Sequence, residues 1–483
     1  MSRRVLRITG PAQAPPLVAL RRARAGLGLP GAFPDPVLAE ADAAARRPRA
    51  TASETVPLPF LTVTRPGRPT PGEALHLARH ADGFRLHYAV ADIAAFVTPG
   101  GAVDHEAHRR VRTLALPGPD GAIPLHPPTL TAAASPLPGR AVPALLWRID
   151  LDAEGRTLAT DLRRATVRAA ATVAEAPAEQ RALLREAGLA RRTLERERGG
   201  ISLPVPEAEV MAADGGYRLV YRAPRPDDGW CAQLAQLVGL VAAEIMAALG
   251  TGVLRTSPLT PDGAVARLRR CASALRIPWP HHVSYADVIR SLDSLGSLDS
   301  LGSLDPGLTR HAAFLQECGD LLRGAGYTVF TGGAPPDSEP AVHAAVAAPY
   351  THCTAPLTRL VDRYAGELCA AECAGRGVPE WVLEALEALP AEMADGDHRA
   401  DEAERASVAI AAAALLTGRA GEIVDGVVVE VREDDPTLGT VQLLDPPVLV
   451  PVAGAAALPL GEPARFRLAQ APPDDAAVLL RPV

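Results

Sequence analysis

The stretch PFLTVTRPGRPTPGEALHLARHADGFRLHYAVADIAAFV, from Pro59 to Val97, sets how the rest of the chain is read. Its second half alternates or runs apolar and predicts a hairpin of strands entering a core. Its first half fills the preceding loop with Thr, Arg, Pro and Gly, and between Leu61 and Leu75 the only carboxylate is Glu73.

Outward from that stretch the strand pattern continues to about Asp152, through AVPALLWRIDLD, with GPDG and HPPTL marking turns. Ahead of it, residues 1 to about 55 carry two Arg/Ala-rich amphipathic runs, LVALRRARAGLGLP and PDPVLAEADAAARRPRA, which predict two short helices separated by Pro-Gly punctuation. Behind it, a charged helix ends at Gly199-Gly200 and leads to a strand. WCAQLAQLVGLVAAEIMAALG, nearly all apolar, predicts a buried central helix. Further helices are expected at about 262–275, 308–325, 357–375, 380–394 and 398–417. The tandem hexad SLDSLGSLDSLGSLDPG, 291–307, is expected as a solvated surface connection. From about Gly421 five short β-rich runs fit a small barrel of the oligonucleotide-binding kind. Phe466 is its only aromatic residue, so base stacking is scarcely provided for, and a structural role and an RNA-binding role both remain open.

The 483 residues, 48% hydrophobic, suffice for two to four domains. All 49 basic residues are arginine, the net charge is −7 and the pI is near 6.0, which argues against coating nucleic acid by net charge but not against a locally basic groove. The start MSRRVLRITG has no apolar signal region and no membrane partner is expected, which favours the cytoplasm. Six cysteines without a CxxC pair read as free thiols.

LHYAVADIAAFVTPGGAVDHEAHRRVRTLALPG, IPLHPPTL and VPALLWRIDLDAEG, followed far downstream by AAPYTHCTAPLTRLVDRY, resemble the ribonuclease II family over roughly residues 57–400. The downstream stretch is similar to that family's signature Y-x-H-F-T-S-P-I-R-R-Y. The resemblance implies an Mg²⁺-dependent 3′ to 5′ exoribonuclease that threads single-stranded RNA into a channel. It also implies an acidic motif, T-I-D-x(5)-D-x-D-D-A, whose four acidic positions fall on Thr64, Thr70, Gly72 and Glu73. Only Glu73 is an acid, whereas Mg²⁺ wants charged oxygen ligands. The arginine expected at the scissile phosphate falls on Thr358, with Arg359 one place later, and the aromatic residue expected before Leu-Pro is Ala115. At the buried helix one acid remains, Asp228.

Two readings follow. In the first, the chain binds single-stranded RNA, with hydrolysis lost or strongly impaired and a channel lined by Tyr350, His352, Arg363 and Arg140. In the second, a reorganised site survives, with Glu73 and Arg359 catalytic and Mg²⁺ held by Glu73, Asp92 and Asp228. A structural module without RNA affinity is a third possibility. The cluster Asp104-His105-Glu106-Ala107-His108 lacks HExxH spacing and reads as a solvated helix rather than a zinc site. No P-loop, dinucleotide fingerprint or G-x-S-x-G elbow is present. The expected fold is α+β: a helical lead-in (1–56), an RNB-type domain (57–400), and a helix with a small OB-like β-barrel (401–483).

Overall fold

Strand alternation around Glu73 closes on itself rather than spreading into an open sheet. The computed structural model describes residues 6–49, 54–64, 72–119, 121–213, 216–257, 262–294, 306–319, 324–333, 341–469 and 479–483. The chain begins with β1 (Leu6–Thr9), α1 (Pro15–Gly26) and α2 (Asp35–Arg46). There follow β2 (Phe60–Thr62), β3 (Glu73–His80), β4 (Gly83–Ala91), α3 (Ala102–Arg110), α4 (Pro128–Ala134), β5 (Ala141–Leu151) and β6 (Thr157–Thr172). Next come α5 (Ala178–Glu197), β7 (Glu207–Ala213), β8 (Gly216–Arg222), α6 (Pro226–Leu249) and β9 (Thr251–Thr256). Then α7 (Asp262–Ala274), α8 (Tyr285–Ser294), α9 (Pro306–Cys318) and β10 (Gly326–Thr331) lead to α10 (Val361–Cys373), α11 (Glu380–Leu386) and α12 (Leu389–Leu415). The chain ends in β11 (Ile423–Val431), β12 (Leu438–Leu443), β13 (Leu449–Ala453), β14 (Pro463–Ala469) and β15 (Leu479–Pro482).

Strands β2 to β6 form a closed barrel. Its interior is filled by small or medium residues, including Ala74, Ala89, Ala144, Ala165 and Ala169 beside Phe60 and Leu146. Its outer face presents Leu75, Leu77, Tyr88, Leu145 and Trp147 to the helices. The β3–β4 turn admits only glycine at Gly83, where a Cβ would lie 2.1 Å from the Leu151 carbonyl oxygen. The expected hairpin is therefore present, as part of a barrel.

Helix α6 is long and apolar enough to cross a membrane by length and composition, yet more than half of its most apolar window is buried inside the molecule. It packs between α5, α10 and β9 as the expected central helix. The last five strands close a second barrel, in the order β11-β12-β13-β15-β14.

Three boundaries differ from expectation. The N-terminal segment adds β1 in parallel to β7, so it is stitched into the body instead of standing ahead of it. The two helices expected at 380–394 and 398–417 are divided elsewhere: α11 is short and α12 runs unbroken across 400/401. Of the repeat, Ser291–Ser294 close α8 and Pro306-Gly307 open α9, whereas residues 295–305 lie outside the described residues.

Candidate functional site

The second signature builds a closely bonded polar cluster near the barrel. Leaving β10, the chain passes Tyr350 to Leu360 without regular structure and then starts α10. Asp362, in the first turn of α10, accepts the Ala355 N–H at 2.6 Å and two hydrogen bonds from Arg359, at 2.5 Å from Nε and 2.8 Å from Nη2. This bidentate pair is of the strong, orientation-fixing kind. Burial works against the Arg359 charge, but Asp362 more than offsets it and holds the guanidinium above its usual pKa. Thr358 spends its hydroxyl on the Ala355 carbonyl at 3.3 Å and its own carbonyl accepts from the Thr113 N–H.

Around this pair stands an aromatic nest. The Tyr350 and His352 rings meet edge to face at 5.5 Å. The Tyr327 hydroxyl and His352 Nδ1 are hydrogen-bonded at 2.7 Å. Arg255 lies over the Tyr327 ring at 4.6 Å and reaches Asp397 on α12 at 3.1 Å, and Asp397 also pairs with Arg112. Tyr350 fits because position 239 on α6 is glycine: a Cβ there would sit 2.2 Å from Tyr350 Cε2. Burial first, then the Arg359 charge, pushes His352 well below the usual histidine range, and burial raises the Tyr350 hydroxyl and the Cys353 thiol. The charges of Asp362 and Glu73 push that thiol further up, and the Arg359 charge works against them.

Glu73 itself is buried at the start of β3 and accepts the Tyr88 hydroxyl at 2.6 Å. Its neighbour Gly72 offers no ligand, and a Cβ there would approach Leu357 Cδ1 to 3.3 Å. Thr64 is exposed, and Thr70 lies outside the described residues. Asp92, buried at the end of β4, receives Arg164 Nε at 3.0 Å, and Arg164 also pairs with Glu367 of α10. An arginine thus already neutralises the carboxylates that would otherwise face one another there. Asp228 accepts the Arg225 N–H at 3.1 Å and caps α6. The three acids proposed as metal ligands are therefore held in three separate arrangements. Among the described residues no group of three or more His, Cys, Asp or Glu is placed to hold a metal ion. This donor set does not fit Mg²⁺.

The other proposed contacts divide. Tyr350 and His352 lie ring against ring in the signature loop that also carries Arg359. Arg363, by contrast, is buried, pairs with Asp104 and lies over the Trp381 ring at 4.4 Å. Arg140 is exposed in the turn before β5 and donates to the Ala132 carbonyl at 2.6 Å. The Asp104–His108 run forms α3, but it is less solvated than expected. Asp104 and Glu106 are buried, Glu106 pairs with Arg109 and Arg110, and His108 bridges Glu392 and Tyr364. Five of the six cysteines are buried and all are free.

Sequence reasoning passed over Tyr88, Arg164, Arg255, Tyr327, Glu367 and Asp397. Each acts through a partner at least fifteen positions away, and only Tyr88, inside the quoted stretch, carried any local signal.

A model of the RNB domain matches residues 54–187, and a model of the RNase II-type exonuclease C-terminal S1 domain matches residues 422–483. "Exoribonuclease 2" of Edwardsiella piscicida is 36% identical over 108 residues, a match that covers 22% of this chain and 16% of that protein. Mycoplasma genitalium RNase R, solved with ribose-methylated single-stranded RNA, superposes with a TM-score of 0.76 at 15% identity, over 97% of this chain and 78% of that one. Yeast Ssd1, described as a pseudonuclease, gives 0.59 at 16% identity, over 87% of this chain and 53% of that one. At such identities the likeness shows the fold alone.

Proposed function

Since the chain carries an RNB domain and an RNase II-type C-terminal S1 domain, and so belongs to the ribonuclease II family, we propose that it holds single-stranded RNA while having lost, or nearly lost, the power to hydrolyse it. The observation that carries this reading is that Glu73, Asp92 and Asp228 are each held by a different partner. The hydrogen bond from Tyr88 to Glu73, the Arg164 bridge on Asp92 and the capping role of Asp228 leave no shared centre for a metal. RNB exoribonucleases generally depend on divalent metal, and without that charge the attacking water and the leaving oxygen lose their main stabilisation.

The parts suited to holding RNA remain built. Arg359 Nη1 has no protein partner among the described residues and can meet a phosphate oxygen, while Tyr350, His352 and Tyr327 are fixed beside it. One solved relative is a pseudonuclease and another was solved with single-stranded RNA, so the same fold accommodates both halves of the reading.

The test is retention of a labelled single-stranded RNA on a filter, with Mg²⁺ and with EDTA, over a range of salt. Retention that falls with salt and is indifferent to EDTA supports binding without a metal. Absence of retention at low salt would leave a structural module instead.

A further inference from the structure

The outer surface of the C-terminal barrel has two faces with different surroundings. On one, Val429 of β11 projects out of the barrel into the cluster built by α7, α8 and α9, and Leu449 of β13 packs against the same cluster. Gln442, opposite Leu449 across the β12–β13 ladder, is buried as well. Arg270 of α7 donates from Nε to the Val429 carbonyl at 2.8 Å, and Arg267 pairs with Glu430 at 3.4 Å. Five-stranded barrels of this kind take up oligonucleotides on the face of their second and third strands. Here those are β12 and β13, and the Gln442–Leu449 end of that face is turned into the body of the protein, while Pro451 of β13, opposite Thr440, stays exposed.

The other face is open and basic. Arg467 of β14 and Arg481 of β15 stand directly opposite one another in an antiparallel ladder, both exposed, while Phe466, Leu468 and Leu480 point into the barrel. Arg465 lies two residues along β14 on the same side and is also exposed, with the exposed Asp425 of β11 opposite it in the ladder, so the uncompensated charge is that of Arg467 and Arg481. Arg467 donates to the Gly421 carbonyl at 3.2 Å, and among the described residues none of the three arginines has a carboxylate within ion-pair distance. Like charges directly opposite across a ladder destabilise it, a cost that an anion seated between them removes. The chain as a whole carries −7, so attraction for a polyanion must come from a local patch of this kind.

Resting on the RNA-binding reading above, we propose that the outer face of β14 and β15, through Arg465, Arg467 and Arg481, grips the phosphodiester backbone of single-stranded RNA where the partly covered β12–β13 face leaves less room for it. No aromatic side chain points outward from these two strands among the described residues, so the grip is electrostatic and blind to sequence.

The experiment compares filter retention of a labelled single-stranded RNA by the full chain, by Arg467→Ala/Arg481→Ala, and by Arg432→Ala, whose arginine is already paired with Asp434. Loss of two phosphate contacts should flatten the log–log salt dependence by about 1.4 and weaken retention several-fold, with Arg432→Ala unchanged. Retention of the double variant with the wild-type slope would overturn this face as the grip and leave RNA binding standing. A wild-type chain that retains no RNA would overturn both. Melting without RNA checks the fold and the repulsion independently. Arg481→Glu should raise the melting temperature by about 1 to 2 °C, and a fall would show that the pair carries no strain for an anion to relieve.

Discussion

Arg359 and Asp362 hold one another through two parallel hydrogen bonds where the chain enters α10, and the same aspartate fixes the Ala355 N–H seven residues back. The pair therefore shapes the loop that carries the signature as well as fixing the Arg359 guanidinium.

Asp362→Asn keeps the acceptor for Ala355 but removes the charge opposite a buried guanidinium. Breaking a buried pair from one side costs about 3–5 kcal/mol, so urea denaturation should show a loss of that order. A loss under about 1 kcal/mol would mean that water already screens Arg359.

Gly239→Ala tests the wedge beneath Tyr350. The added methyl would have to displace the ring or the Thr351 backbone, whose N–H bonds the Gly239 carbonyl at 3.2 Å. Overpacking of this kind costs about 1–3 kcal/mol, read as a lowered melting temperature together with weaker RNA retention.

The buried histidines predict an acid limb to stability. Burial pushes His126 down to about 4 and His343 to about 3, and His352 lies well below the usual range. Each is neutral in the folded chain and gains a proton on unfolding once pH drops below about 6.5, so stability is present above that value and is lost as pH falls. With three such groups the slope reaches roughly 4 kcal/mol per pH unit between about pH 4 and 6. Melting curves at pH 7 and pH 5 should differ accordingly, and His126→Gln should lessen the difference.

If missing ligands are what stops hydrolysis, supplying them should restore some of it. Thr64→Asp/Thr70→Asp/Gly72→Asp beside Glu73 should produce Mg²⁺-dependent shortening of RNA. The effect should be larger when Leu357→Ala makes room, since a Cβ at position 72 meets Leu357 at 3.3 Å. Equal inactivity with and without Leu357→Ala would place the defect outside the acidic motif.

Much of the fold was legible because it rests on local period. The β3–β4 hairpin, the apolar α6 and the five C-terminal runs declare themselves within ten to twenty residues. What was not legible depends on distant partners. The pairing of β1 with β7 joins Leu6 to Ala208, and the closure of β2 onto β6 joins Phe60 to Ala169, both far beyond any local period. At the site, the Arg359–Asp362 spacing of three lies within one signature, whereas the Arg164 bridge joins Asp92 to Glu367 and so draws on three separate segments. Arg363 shows the limit from the other side: an arginine that reads as a channel contact is used to neutralise Asp104 in the core.

The most direct measurement is the fate of a 5′-labelled single-stranded RNA incubated with excess purified protein in Mg²⁺ or Mn²⁺, beside an EDTA control. The RNA should stay full length in all three while being retained on a filter. A ladder shortening from the 3′ end in the metal lanes alone would contradict it, and would mean that carboxylates now tied to Tyr88, Arg164 and Arg225 regroup around a metal when RNA binds.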